Sequence, residues 1–146
     1  MPIVTGTSSA FAGYVNSAEL LARAERFALA SLSFYRRLSK AREAQVPGVQ
    51  FYEAATSSWS NYRASKRAQS RPHFISKLAI SVEEIDEAVG WLAFMEKGSI
   101  ASDQALLQEA TELCAILTAS LTTARANWHA ELARRKQRRR TSDSRF

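Results

Sequence analysis

Six cations fall within seven positions in the run Arg134-Arg135-Lys136-Gln137-Arg138-Arg139-Arg140, and no acidic residue interrupts it. Each such cation can neutralise one phosphate and release the counterions condensed on it, which gives nucleic-acid affinity independent of sequence and steeply weakened by salt. The competing reading is a solvated helix end whose cations favour the C-terminal dipole, but that uses two or three of them and leaves the others unexplained. A second set, Arg63, Lys66, Arg67 and Arg71, is spaced so that it shares one helix face, where it could hold a phosphate backbone. Glu83, Glu84 and Glu87 compete with that use. If antiparallel helices joined at Ser70 bring the two sets together, the carboxylates neutralise the cations.

The same glutamates invite a di-metal reading, which fails on its ligands. Helical carboxylate sites need Glu-x-x-His on two helices, and neither His73 nor His129 has a Glu three positions before it. Neither histidine stands in motif spacing with a carboxylate or cysteine, and no glycine-rich phosphate loop or nucleophile motif is present. The expectation is a protein with no catalytic residue, no metal and no cofactor. Cys114 lies inside an apolar repeat and reads as a small buried hydrophobe; as the one cysteine it cannot form an internal disulfide, which points to a reducing compartment.

The elements that position these residues follow from hydrophobic period. Asn16 and Glu19 mark a helix start, with the Asn side chain accepting from the N3 amide and the Glu reaching back. Leu20, Ala24, Phe27, Ser31, Phe34 or Tyr35, and Leu38 then recur at helical spacing, predicting a helix over 17–45 that Pro47-Gly48 ends. A second helix over 49–69 stacks Tyr52, Ala55, Trp59 and Tyr62. Ser70 and Pro72 open a third, over 71–97, with Phe74, Leu78, Val82, Ile85, Val89 and Leu92 as its seam and Gly98 as a left-handed C′ residue. Ser102-Asp103 opens a fourth, over 102–135, seamed by Leu106, Ala110, Leu113, Leu117, Ser120 or Leu121, Ala124 and Trp128. Five glycines and three prolines are too few for the turns of a β-sandwich or barrel. Four helices joined by short links predict an all-α, antiparallel up-down-up-down four-helix bundle. Trp59, Trp91, Phe94 and Phe51 exceed what one narrow seam per helix can bury, so they either thicken the core or, for Trp59, Trp91 and Phe94, form a subunit interface.

From Ala54 to Met95 the chain runs AATSSWSNYRASKRAQSRPHFISKLAISVEEIDEAVGWLAFM, and it resembles the four-helix-bundle proteins encoded within intervening sequences of bacterial large-subunit ribosomal RNA genes. The resemblance is strongest over Ser60 to Leu92, carried by Asn61-Tyr62-Arg63, Ser70, Phe74-Ile75-Ser76-Lys77-Leu78, Glu84, Glu87 and Trp91-Leu92. Glu53 stands where that family often has Arg, and His73 where it usually has an acidic residue. The resemblance implies a bundle assembling into a ring-like homo-oligomer, usually a pentamer, related in fold to accessory proteins of diversity-generating retroelements.

The charge is unevenly distributed along the 146 residues. Met1 to Ala124 balances 12 basic against 12 acidic residues, while Arg125 to Phe146 carries 8 against 2 and so holds the whole net charge of +6. This divides the chain into an uncharged extension over 1–16, a bundle over 17–133 and a basic tail over 134–146. The extension lacks the basic start of a signal peptide, and no apolar run is long enough to span a membrane, so a cytoplasmic location is expected. Two functions follow as expectations. One is an oligomeric nucleic-acid-binding accessory protein, for RNA above all, serving a reverse transcriptase or RNA-processing complex; the other is a protein-interaction scaffold whose tail only solubilises it.

Overall fold

A computed structural model describes residues 16–145, and among them four helices and no strand are present: α1 (Ser17–Arg37), α2 (Arg42–Ser65), α3 (Arg71–Lys97) and α4 (Gln104–Asp143). Residues 1–15 of the expected N-terminal extension, and Phe146, lie outside the described residues. Sequential helices pack antiparallel as a bundle: the α2–α3 pair is the most extensive, α3–α4 and α1–α2 follow, and the α1–α4 side is the thinnest. Three of the four helix starts carry a side-chain cap; α2, which follows Ala41, does not. Asn16 accepts from the Ala18 amide at 2.9 Å, one position earlier than the capping-box expectation. Ser70 accepts from the His73 amide at 3.2 Å, and Asp103 from the Leu106 amide at 2.9 Å.

The first link departs from expectation. α1 stops at Arg37, and Pro47-Gly48 lies inside α2 rather than ending α1. The reason is a close approach. Leu38, the last residue of the α1 seam, turns into extended backbone and lays its side chain on the α2 backbone, where a Cβ at Gly48 would collide with Leu38 Cδ1. Gln45 ties the turn down, donating to the Ser39 carbonyl at 2.7 Å and accepting from the Tyr35 hydroxyl at 3.1 Å. A proline early in α2 is tolerated because only one amide-to-carbonyl bond, to Glu43, is forfeited there. At the end of α3 the residue with positive φ is Ser99, at 55°, not Gly98. The helix ends at Lys97 as expected, but its left-handed residue falls one position later, with the Gly98 amide still bonded to Phe94 O at 2.9 Å and the Ile100 amide closing back on Met95 O at 2.9 Å.

The core follows the α1 and α4 seams and shifts the other two. On α2 the buried line is Phe51, Ala54, Ala55, Ser58, Tyr62 and Ser65, with Tyr52 and Trp59 only half-buried. On α3 it is Leu78, Ser81, Ile85, Ala88, Leu92 and Met95, with Phe74, Val82 and Val89 at its edge. Phe51 is fully buried and takes two edge-to-face contacts from α1, with Phe34 at 5.5 Å and Phe27 at 6.5 Å between ring centroids. Small residues let α2 and α3 come close, and their crossing is fixed by paired serines. Ser58 Oγ donates to the Ser81 carbonyl at 2.9 Å, and Ser81 Oγ donates to the Ser58 carbonyl at 2.8 Å.

The Ser81→Val variant removes one of these bonds and forces bulk into a fully buried crossing. It should lower unfolding free energy by about 2–4 kcal/mol in urea denaturation, the sum of a lost buried hydrogen bond and overpacking. A loss below about 0.5 kcal/mol would show that the crossing does not hold the two helices.

Candidate nucleic-acid interface

The expected basic tail is helical. α4 continues through Arg134–Arg140 to Asp143, well past the expected end at 135, and its last turn closes with the Ser144 amide on Arg140 O at 3.2 Å. The stretch contains neither Gly nor Pro, and Arg and Lys are good helix formers. Asp86 on α3 lies close enough to Cys114 on α4 to act on its thiol, so counting back along the antiparallel pair sets Arg71 level with His129. Beyond Glu131 nothing flanks α4, and every residue from Leu132 to Arg145 is exposed. Arg135 is held at the base of this overhang by an ion pair with Glu131 and by the Trp128 ring, 5.5 Å from its guanidinium carbon. Among the described residues, Arg134, Lys136, Arg138, Arg139 and Arg140 form no ion pair.

The second cationic set sits at the same end of the bundle. Arg63, Lys66, Arg67 and Arg71 are exposed at the α2–α3 turn, around a shallow cavity of about 350 Å³ lined by Lys66, Gln69, Ser70, Arg71 and Phe74. Lys66 reaches solvent, yet its ammonium lies 4.6 Å from the Tyr62 ring centroid and 5.9 Å from that of Phe74, and burial against them lowers its pKa. The Tyr62 hydroxyl, buried beneath, is pushed up to about 12 by desolvation.

The expected neutralisation by Glu83, Glu84 and Glu87 does not occur. Because Ser58 meets Ser81, the residues opposite Glu84 are those near Ala55, about two turns from Arg63. The glutamates instead gather with Glu53, the position where the resembled family often has Arg. Burial and the charges of Glu87, Glu83 and Glu53 raise the Glu84 pKa. The α2–α3 face is therefore acidic midway and basic at the turn. Among the described residues no group of three or more His, Cys, Asp or Glu is arranged to hold a metal ion. His73 and His129 are exposed, and Cys114 is half-buried, its thiol pKa raised chiefly by burial.

The candidate interface aromatics divide. Trp91 and Phe94 meet edge-to-face at 5.7 Å and, with Val46, Pro47, Ile100 and the charged Arg42 and Glu43, line a mainly apolar groove of about 920 Å³ at the end opposite the α2–α3 turn. Phe94 is 54% exposed and Val46 53%, and Trp91 Nε1 donates to Glu87 Oε1 at 3.2 Å. Trp59 is half-buried on α2 and is not part of this groove; Phe51 belongs to the core. Sequence inspection missed Arg23, which bridges the thin α1–α4 side by donating to Glu109 at 2.6 and 2.9 Å and to Glu112 at 2.5 Å. The bidentate bond to Glu109 is the largest cause of its raised pKa. Its position off the α1 seam, 86 residues from its partner, leaves no local signal.

No protein-family model matches the chain, and no curated protein matches it. A solved structure of similar fold exists: a protein of unknown function from the S23 ribosomal protein family of Bacteroides thetaiotaomicron, with a TM-score of 0.67 and 24% sequence identity. The match covers 73% of this chain and 97% of that one. At that identity the likeness carries the fold, a bundle of the same architecture. No helix among the described residues is long and apolar enough to cross a membrane.

Because the folded state raises the Glu84 pKa above its ordinary carboxylate value, the acid form is the one the fold favours, and the associated stability is lost as pH rises through the folded value. Glu84→Gln should therefore stabilise the protein at pH 7, by about a few tenths of a kcal/mol given solvent screening, with the gain shrinking towards pH 4. Thermal unfolding at the two pH values checks the sign.

Proposed function

We propose that this protein is a non-enzymatic accessory subunit that holds nucleic acid by its phosphate backbone. The observation that carries the proposal is the convergence at one end of the bundle of two cationic sets, the α2–α3 turn and the α4 overhang, both free of ion pairs apart from that of Arg135 among the described residues. Neutral residues would serve equally well if the overhang only had to stay solvated. The resemblance to proteins of ribosomal RNA intervening sequences, and the S23 ribosomal protein family named for the structure of similar fold, support RNA as a ligand and a ribonucleoprotein or reverse transcriptase as the setting. Such a role is cytoplasmic.

The proposal includes assembly into a closed ring, a pentamer by the resemblance, through the apolar groove of Val46, Trp91 and Phe94. Five copies would then gather five overhangs, making weak single-arm contacts additive. The same groove supports the second reading, a scaffold that binds proteins alone, and the two readings part on whether the overhang matters.

A chain ending at Ala133 should keep its helicity and its assembly state. It should bind RNA and DNA about a hundredfold more weakly at 100 mM salt, and the log–log salt slope of the intact chain, about −3.5 to −4.5 for five free cations on each arm, should flatten. Equal affinity and slope for the two chains would leave the scaffold reading. Light scattering tests the ring separately: Phe94→Glu, at an exposed position, should reduce the particle to a 16.2 kDa monomer with unchanged circular dichroism. A wild-type monomer at micromolar concentration would remove the ring.

A further inference from the structure

The cations of the α4 overhang encircle it. At 100° per residue, Arg134, Arg138, Arg135, Arg139, Lys136 and Arg140 fall at about 0, 40, 100, 140, 200 and 240° around the helix axis, leaving an arc of about 120° to Gln137 and Thr141. A helix meant to lie on a flat anionic surface needs charge on one side and apolar residues beneath it, and the overhang has no large apolar residue after Leu132. Cations on nearly every side suit a ligand that flanks the helix with phosphates, which is a groove. Leu132 to Asp143 is about 18 Å long and about 10–12 Å across, the dimensions that the major groove of B-form DNA, about 12 Å wide, accepts. The major groove of an A-form RNA helix is too narrow and deep to admit it. Single strands are gripped by stacking on aromatic rings, and none follows Trp128 within the overhang.

We infer that the α4 overhang enters the major groove of B-form duplex DNA, with Arg63, Arg67 and Arg71 of the α2–α3 turn reaching phosphates beside the groove. Basic helices that continue out of a bundle or coiled coil dock in this way. The inference rests on the proposed phosphate-binding role of the same end and assigns duplex DNA, in place of RNA, as the ligand that the overhang fits. The helix has to be intact, since charge alone does not discriminate between the two duplex forms.

The test uses the full chain with a 20-base-pair DNA duplex, the RNA duplex of the same sequence and a single-stranded RNA, titrated by fluorescence anisotropy at 100 mM salt. Gln137→Pro keeps all six cations but removes the amide that bonds back towards Ala133, so the helix breaks in the middle of the run. Gln137→Ala keeps both helix and charge. The intact chain and Gln137→Ala should bind the DNA duplex at least about tenfold tighter than the RNA duplex, and Gln137→Pro should lose that preference while retaining salt-dependent binding. Equal binding of both duplexes by the intact chain, or an unchanged preference in Gln137→Pro, overturns the inference. If truncation after Ala133 weakens all three ligands equally, phosphate binding stands and the groove inference falls; if truncation changes nothing, both fall. Position 137 lies beyond the core, so circular dichroism should report a folded bundle in each variant.

Discussion

The reciprocal bonds between Ser58 and Ser81 set the axial register of α2 against α3, and the distribution of charge over the molecule depends on that register. With hydroxyls at the crossing the helices approach closely, and each serine satisfies its hydroxyl on the backbone carbonyl of the other helix. A slip of one turn would move Glu53 away from Glu84 and bring Glu83 towards the cations of the α2–α3 turn. In the observed register the acidic group stays midway along the helices and the turn keeps its positive charge. The same economy holds at Ser31 and Ser65, whose buried hydroxyls bond to carbonyls of their own helices, so no buried side-chain polar atom among the described residues is left without a partner.

Around that pair the bundle is unequal. α1 is held mainly by its aromatic clasp on Phe51 and by Leu38 seated on Gly48, while its contact with α4 is thin and relies on Arg23 between two carboxylates. The ends differ as well. One carries an apolar groove with exposed Phe94 and Val46, the other a concentration of cations, so the molecule offers two chemically distinct surfaces about a bundle length apart.

The sequence disclosed the helix number and most helix starts, because Asn16, Ser70 and Asp103 are strong caps and the seams of α1 and α4 are nearly pure in period. It misdirected at Pro47-Gly48, where a breaker signal marks a close approach of Leu38 instead of an end. It also misdirected on α2 and α3, where large aromatics drew attention from the small residues that lie at the centre of the contact; Ser58, Ser81 and Ala88 look like surface positions until their neighbours are known. Both cationic sets could be read directly as runs of charge. Their shared end could be read only once the helix order was fixed, and the failure of Glu83, Glu84 and Glu87 to neutralise the turn required the register that no local pattern encodes. Arg23 was invisible for the same reason.

α4 is a single rod of 40 residues without a glycine or proline, and its N-terminal half is built into the bundle while its last turns stand clear of it. It has no hinge between the packed and free parts. The consequence is mechanical: whatever the free end grips is oriented by the packing of Leu106, Leu113 and Leu117 far away, as a tool is aimed by its handle. A tilt of 10° in how α4 sits on α3 would swing a tip about 18 Å out by roughly 3 Å, close to one base-pair step. Small repacking in the core would thus register as a whole-step displacement at the tip, without any change in the tip itself.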